Sequence, residues 1–525
     1  MKKFVAMLLS VLMMFSLCAC NPTNDESTLE IMVWNSGYGT KWIEELKTEY
    51  LKSHPDVNIE ITAKSGDSGT GEIYNTIESG AEANDTDLYF SYGPKYLQYT
   101  EGSENCLEPL NDIVNYTVPG ESKTIGQKIG STILDALVYE DNYYALTYEN
   151  GAYGIVYNAK LFTEFGFDVP RTTDELYDLV INAKINTKYN GETAGPANTK
   201  LAPIMHYPGY WGAAVTNWWL QYEGKANFDS YFTFANFTTD ELLNMTSSQT
   251  AQAKYQQAGL VKGLEALYEI ISPAGHTYAG SNSAEYITLQ SRFLEEEACL
   301  IYPCGGWLET EMLKGEDFDA NIMNNFKLMK YPVLSAVSEK LSAGNQTEEK
   351  LIELIDYVDG VTTTKPSWAT DADLETVRFA RTCSTTQTAA STVIIPSYAS
   401  SKDLAKDFLK FVYSDTGLKI FAEAQKCFMS VEFDNASVKE SINTASWSAF
   451  SKSVYEISKD RSNYVPQKLN NPLYFRTRLQ EVFPNTPPEV SFTDSTNTTV
   501  TSFLDYEWSQ LMTNWPVYLS SAGLK

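Results

Sequence analysis

The stretch Glu295–Trp307, EEEACLIYPCGGW, places Cys299 and Cys304 with four residues between them, ahead of a Gly305-Gly306 step and Trp307. Residues of these types could hold a metal, form a disulfide or offer a ring to a ligand. Zinc sites use closely spaced Cys and His ligands, and the three histidines, His54, His206 and His276, make no His-x-x-x-His pair, nor is there a Cys-x-x-Cys. Two cysteines on one strand and its turn could bridge only if the chain doubled back, so Cys299 is expected as a buried thiol and Cys304 as free or distantly paired. ACLIYP reads as a short apolar strand, the glycines as a tight turn and WLETEML as a helix. Trp307 then sits at the end of a strand, where a ring could face a ligand or simply pack.

Other chemistry is poorly represented. GDSGTG (66–71) approaches a nucleophile elbow, but Thr70 stands where glycine is required, and the segment reads as a flexible loop. No phosphate-cradling Gly-x-x-x-x-Gly-Lys occurs, and Asp371-Ala372-Asp373 lacks the remainder of a calcium loop. Glycosidases need only two carboxylates at a suitable distance. Asp85 with Asp87, or Glu295 to Glu297, could be such pairs, although a solvated acidic surface explains both. No catalytic residue, metal ligand or cofactor motif is assigned.

The chain opens MKKFVAMLLSVLMMFSLCACN. A charged start, a short apolar run and a small residue before Cys20 read as a secretory signal peptide over 1–19, and the run is shorter than the roughly 20 residues of a membrane span. Leu17-Cys18-Ala19-Cys20 resembles the lipobox of bacterial lipoproteins. That resemblance implies acylation of Cys20, a tether over 20–27 and a protein anchored at the outer face of the cytoplasmic membrane. A net charge of −28 repels phosphate backbones and excludes nucleic acid as a partner. At 525 residues the chain is too long for a single core, and its 34 Tyr, 24 Phe and 10 Trp suit both core packing and stacking on sugar rings.

Downstream, TLEIMVW reads as a buried strand, KWIEELKTEYLKSH as a helix with one apolar stripe, and VNIEIT as a second strand. TDLYFSYG is another strand, YYALTY and YGIVYN are extended, and AKLFTEFG is a short helix stopped by glycine. Strands alternating with helices predict an α/β fold, its sheet parallel or mixed, with helices on both faces. Ligands of such sheets lie beyond the carboxyl ends of the strands.

The order of EIMVWNSGYG, TDLYFSYG with LEPLND, YGIVYNAKLFTEFGFDVPRTTDEL, QSRFLEEEACLIYPCGGW and SSKDLAKDFLKFVYSDTG resembles the extracellular solute-binding proteins of bacterial ABC sugar importers, the maltodextrin-binding-protein-like family. Departures are Thr147 for a usual proline, Thr173 for a frequent tryptophan and Cys299 for a common methionine. The resemblance implies two discontinuous α/β lobes around a cleft, 28–149 with 381–425 and 150–380 with 426–525, with 335–380 as an insertion. It implies a carbohydrate ligand, an ABC permease and ATPase as partners, a monomer, and binding without turnover. The alternatives are a secreted carbohydrate-active enzyme, such as a glycosidase, or a peptide-binding protein of similar architecture. Cleft positions implied are Trp34, Asn35, Ser36 and Tyr38 after the first strand, Tyr92 after the third, Glu149 at the crossing, and Tyr207, Tyr210 and Trp211 in HYPGYWGAAVTNWW. Gly306 and Trp307 join them, with the glycines bringing backbone N–H groups near a bound hydroxyl. Trp218 and Trp219 read as helix core.

Overall fold

β1 (Thr28–Asn35) is an eight-residue run whose middle, Ile31 to Val33, is fully enclosed, as expected of a strand covered on both faces. It is the second strand of a five-stranded sheet with β2 (Asn58–Ser65), β3 (Leu88–Tyr92), β4 (Leu146–Glu149) and β9 (Ser391–Ile394), in the order β2-β1-β3-β9-β4. β1 is parallel to β2 and β3, whereas β9 runs antiparallel to β3 and β4. A second sheet, in the order β6-β7-β5-β8, holds β5 (Tyr153–Asn158), β6 (Ala202–Ile204), β7 (Cys299–Gly305) and β8 (Phe326–Met329). The two sheets are the centres of two lobes, and the mixed sheets and flanking helices make the fold α/β. The computed structural model describes residues 27–525 apart from 36, 38, 66, 82–83, 100–106, 150–151, 187, 190–191, 194–201, 246–248, 316, 387–390, 460–462, 478, 480 and 495–497. The signal segment, Cys20, Ser36, Tyr38 and Cys106 therefore lie outside the described residues.

The apolar stripe of KWIEELKTEY does what its period predicts: helix Lys41–Tyr50 buries Trp42, Ile43, Leu46 and Tyr50. Trp42 meets Phe90 of β3 at 5.0 Å, Tyr148 of β4 at 5.2 Å and Phe421 of helix Asp415–Gln425 at 5.4 Å. One ring thus ties together parts of the first lobe more than 370 residues apart in sequence. In the second lobe, Trp211, Trp218 and Trp219 of helix Tyr210–Thr233 are enclosed in the core. Gly224, at φ 73, breaks that helix in two.

Helix Asp67–Ser79 occupies most of the segment expected to be a flexible loop. Here Ile73, Tyr74 and Ile77 supply the apolar face further along, and tertiary burial overrides the two local glycines. In the expected insertion, helix Glu348–Val358 buries Leu351, Leu354 and Ile355 beneath helix Asp371–Thr382. Arg171 holds this pair to the lobe through a two-pronged bond to Asp356 at 2.8 and 2.9 Å.

The chain crosses between lobes from β4 to β5 and again from helix Asp371–Thr382 to β9. Beside the second crossing lies a later one: Val465 N–H donates to Ser384 O at 2.9 Å and Gln467 N–H to Thr386 O at 3.1 Å. The tail then touches the first lobe, where Asn470 Nδ2 donates to Val138 O and Gln98 Nε2 to Phe475 O, before it returns to the second lobe as helices Pro488–Asp494 and Val500–Ser521. Among the described residues no helix is long and apolar enough to cross a membrane.

Candidate functional site

β1 and β3 are parallel and end side by side, which puts Trp34 and Tyr92 together with ring centroids 4.7 Å apart. From the second lobe, β7 ends at Gly305 opposite Tyr153 of β5, and Trp307 follows directly. Its ring meets Tyr153 edge-on at 4.8 Å and lies 6.3 Å from Tyr210. Tyr210 in turn contacts Tyr207 at 5.6 Å, and Tyr207 contacts Tyr286 at 5.9 Å. All seven rings line one cleft, with a cavity volume of about 520 Å³. They come from both lobes.

Glycine is required at two points of this arrangement. A Cβ on Gly305 would lie 1.9 Å from the six-membered ring of Trp307, so the indole rests on bare backbone. Gly37, at φ 57, brings the turn after β1 so close that its Cβ would sit 3.3 Å from Cβ of Trp307. Trp307 therefore stands at the seam between the lobes.

The polar groups lie mainly at the crossings. Thr385, Thr386 and Gln467 line the cleft. The hydroxyls of Thr386 and Tyr464 share a bond at 2.6 Å, while Thr385 Oγ1 is buried with no hydrogen-bond partner among the described residues. Buried polar atoms without partners are uncommon, and this one lines the space a ligand would fill. Among the described residues two carboxylates, Glu311 and Glu481, line the cavity, and no Lys or Arg does. Glu311 accepts from Gln290 Nε2 at 2.8 Å.

Five of the positions implied by the sequence, Trp34, Tyr92, Tyr207, Tyr210 and Trp307, are brought together here. Trp211 is not: it is fully enclosed and packs toward Trp218 at 6.2 Å. On a helix starting at Tyr210, one position is a turn of about 100°, so Tyr210 and Ala213 face the cleft while Trp211, Val215 and Trp218 face the core. Asn35 reaches sideways to Ser65 Oγ at 3.4 Å and does not line the cavity. Gly306 donates its N–H to Ala152 O at 2.9 Å, so the donor expected to serve a bound hydroxyl is already engaged. Glu149 pairs with Ser391 in the sheet, and its side chain lies outside what is described. Cys299 and Cys304 are free and buried, and burial pushes both thiols well above the usual range.

Sequence reasoning missed a wall built by the tail: Glu481, Val482, Phe483, Pro487 and Pro488. The signal available was the proline-rich run FPNTPPE (483–489), which cannot continue a helix or strand and is forced to the surface. Glu489 anchors this wall. Its fully enclosed carboxylate accepts from Gly209 N–H at 2.5 Å and Trp211 N–H at 3.3 Å, at the start of helix Tyr210–Thr233. Burial pushes its pKa up to about 7, against the lowering effect of those two N–H groups.

Two lobes on separate sheets are joined by chain crossings and lined with rings at their common cleft. Residues 35–283 match the bacterial extracellular solute-binding protein family. A diacetylchitobiose binding protein of Streptomyces coelicolor is 23% identical over 320 residues, which is 61% of this chain. The chain likewise spans about three fifths (61%) of that relative's length. Among solved structures, one described for xylan utilization by Caldanaerobius polysaccharolyticus has a TM-score of 0.58 at 12% identity, covering 92% of this chain and 100% of the other. An ABC substrate-binding protein of Listeria monocytogenes in complex with cycloalternan has a TM-score of 0.54 at 14% identity, covering 95% and 100%. At these identities the structures speak for the fold.

Proposed function

We propose that the protein is an extracytoplasmic solute receptor that captures an oligosaccharide in the interlobe cleft and delivers it to an ABC importer, without turnover. The observation that carries this reading is the ring-lined cleft itself, with Trp34 and Tyr92 from one lobe and Trp307, Tyr207 and Tyr210 from the other. Sugar C–H faces stack on such rings while hydroxyls find polar groups, here Thr385, Thr386 and Gln467. A row of rings suits an extended glycan better than a single sugar. The ligands named for the similar proteins, diacetylchitobiose and cycloalternan, are saccharides of more than one unit, which supports the class. Ligand favours the closed arrangement only through its better contacts there.

In this reading the permease and its ATPase are the protein partners, the receptor acts as a monomer, and Cys20 carries two or more acyl chains, because a single chain binds membranes weakly. Calorimetry against an oligosaccharide panel, with product analysis of the same mixtures, tests the main claim. Binding without cleavage is expected, and product formation would replace this reading with that of a secreted glycosidase. Loss of membrane association in Cys20→Ala is expected for the anchor, and unchanged retention would overturn it.

A further inference from the structure

The cleft is chemically lopsided. At the crossings it is polar, but where helix Tyr210–Thr233 meets the tail, past the carboxylate of Glu481, it is lined by Gly212, Ala213, Val482, Phe483, Pro487 and Pro488, none with a side-chain donor or acceptor. Thr216, next along the same helix face, donates its hydroxyl to Gly212 O at 2.8 Å. Part of the backbone is engaged as well. Prolines have no N–H, the N–H groups of Asn485 and Thr486 are bonded to Glu507, and the carbonyl of Pro487 accepts from Val490 and Ser491. A sugar hydroxyl pressed against these side chains would lose water and gain no side-chain partner, which is unfavourable. A methyl group there would gain.

The wall is also held firmly. Glu489 fastens it to Gly209 and Trp211, Asn282 Nδ2 donates to Thr493 Oγ1 at 2.7 Å, and Phe483 packs on Phe503 at 5.7 Å with its ring 3.8 Å from a Cβ built on Gly212. A fixed apolar surface beside small residues discriminates by what it cannot bond. We infer that segment 482–488 is a specificity element that receives a methyl-bearing substituent of the bound saccharide, an acetamido or a 6-deoxy group. This inference rests on the saccharide-receptor reading. It goes beyond that reading in assigning substituent selection to a tail segment outside residues 35–283, the part that matches the family.

The test uses matched ligands that share ring C–H faces and differ in one substituent, on the full mature chain. Tri-N-acetylchitotriose against cellotriose contrasts acetamido with hydroxyl, and L-rhamnose against L-mannose contrasts 6-methyl with hydroxymethyl. Calorimetry should show one methyl-bearing member bound on the order of tenfold or more tightly than its partner, the scale of discrimination by a small apolar pocket. Phe483→Ala and Val482→Thr should each shrink that ratio to roughly threefold or less, mainly by weakening the methyl-bearing ligand. Val482→Thr keeps the side-chain shape, so it answers the question if Phe483→Ala unfolds, which thermal melting would reveal. Equal affinities within both pairs, or a ratio that survives in a folded variant, would overturn the inference. Binding of maltotriose or xylotriose with no preference in either pair would overturn it and leave the receptor reading standing, whereas no binding to any of these sugars would remove both.

Discussion

The first lobe reaches the cleft with two strand ends, Trp34 and Tyr92, supplied by neighbouring parallel strands of one sheet. The second reaches it with a strand end, a helix start and a tail, and Tyr210 lies 279 residues before the Glu489 that secures its helix. The first surface follows from sheet topology alone: parallel strands end together, so the residues after them meet. The second depends on a carboxylate buried against two backbone N–H groups and on a proline-rich turn far away in sequence. One lobe offers a site its sheet makes unavoidable, and the other a site that has been assembled.

Removing Trp307, the ring at the seam, should have the largest effect. Trp307→Ala should weaken oligosaccharide binding by about 2–4 kcal/mol, on the order of 30- to 1000-fold, with a much smaller loss in thermal stability because the ring is only partly buried. Unchanged affinity with a large stability loss would mean that the seam is packing and not recognition.

The assembled side should be the pH-sensitive one. The Glu489 carboxyl has a pKa of about 7 in the fold against an ordinary 4.5. A raised carboxyl pKa means that the fold favours the protonated form. The contribution is thus fully favourable below pH 4.5 and is lost as pH rises through 7. The loss between pH 4.5 and pH 8 is roughly 3 kcal/mol at most. Denaturant unfolding of Glu489→Gln at both pH values should show a smaller fall than the unaltered chain, and identical falls would sever Glu489 from the effect.

Trp34→Ala, on the strand-end side, should weaken binding by about 1–2 kcal/mol, less than Trp307→Ala because Tyr92 remains beside it. A loss equal to that of Trp307→Ala in calorimetry would make the two lobes equal partners. The smallest effect on binding is expected from Trp211→Phe. Affinity should change less than about twofold, while the melting curve records a loss of roughly 1–3 kcal/mol from the core. A large affinity change with an unaltered melting curve would return Trp211 to the cleft.

The same contrast explains what was legible in the sequence. The period-two and helical patterns located β1, β2, β3, β5, β7 and helix Lys41–Tyr50, because each buries its own stripe. Trp34, Tyr92 and Trp307 could be named because each stands at or just after the end of a strand. Trp211 was misplaced because the start of its helix falls at Tyr210, and a shift of one residue turns a side chain from cleft to core. Tyr153 and Thr385 carried no local mark of a shared site, and the proline-rich run of the 481–488 wall marks a surface segment without showing what it faces. Their meeting is set by crossings and by Glu489, which a linear reading cannot fold back onto Gly209. The 67–71 segment was read from its glycines, while its helix is decided by Ile73, Tyr74 and Ile77 further along.

Gly305 has a consequence for time as well as for shape. Because the Trp307 indole rests on a backbone with no side chain beneath it, its torsion angles are settled before any ligand arrives, and association would lose little rotational freedom at the ring. Substituents at residue 305 would tilt the indole out of place, and the ligand would first have to wait for it to return. Arrival would slow, whereas in most families of related complexes it is departure that changes. A stopped-flow record of Gly305→Ala would therefore register the missing hydrogen as a slower on-rate.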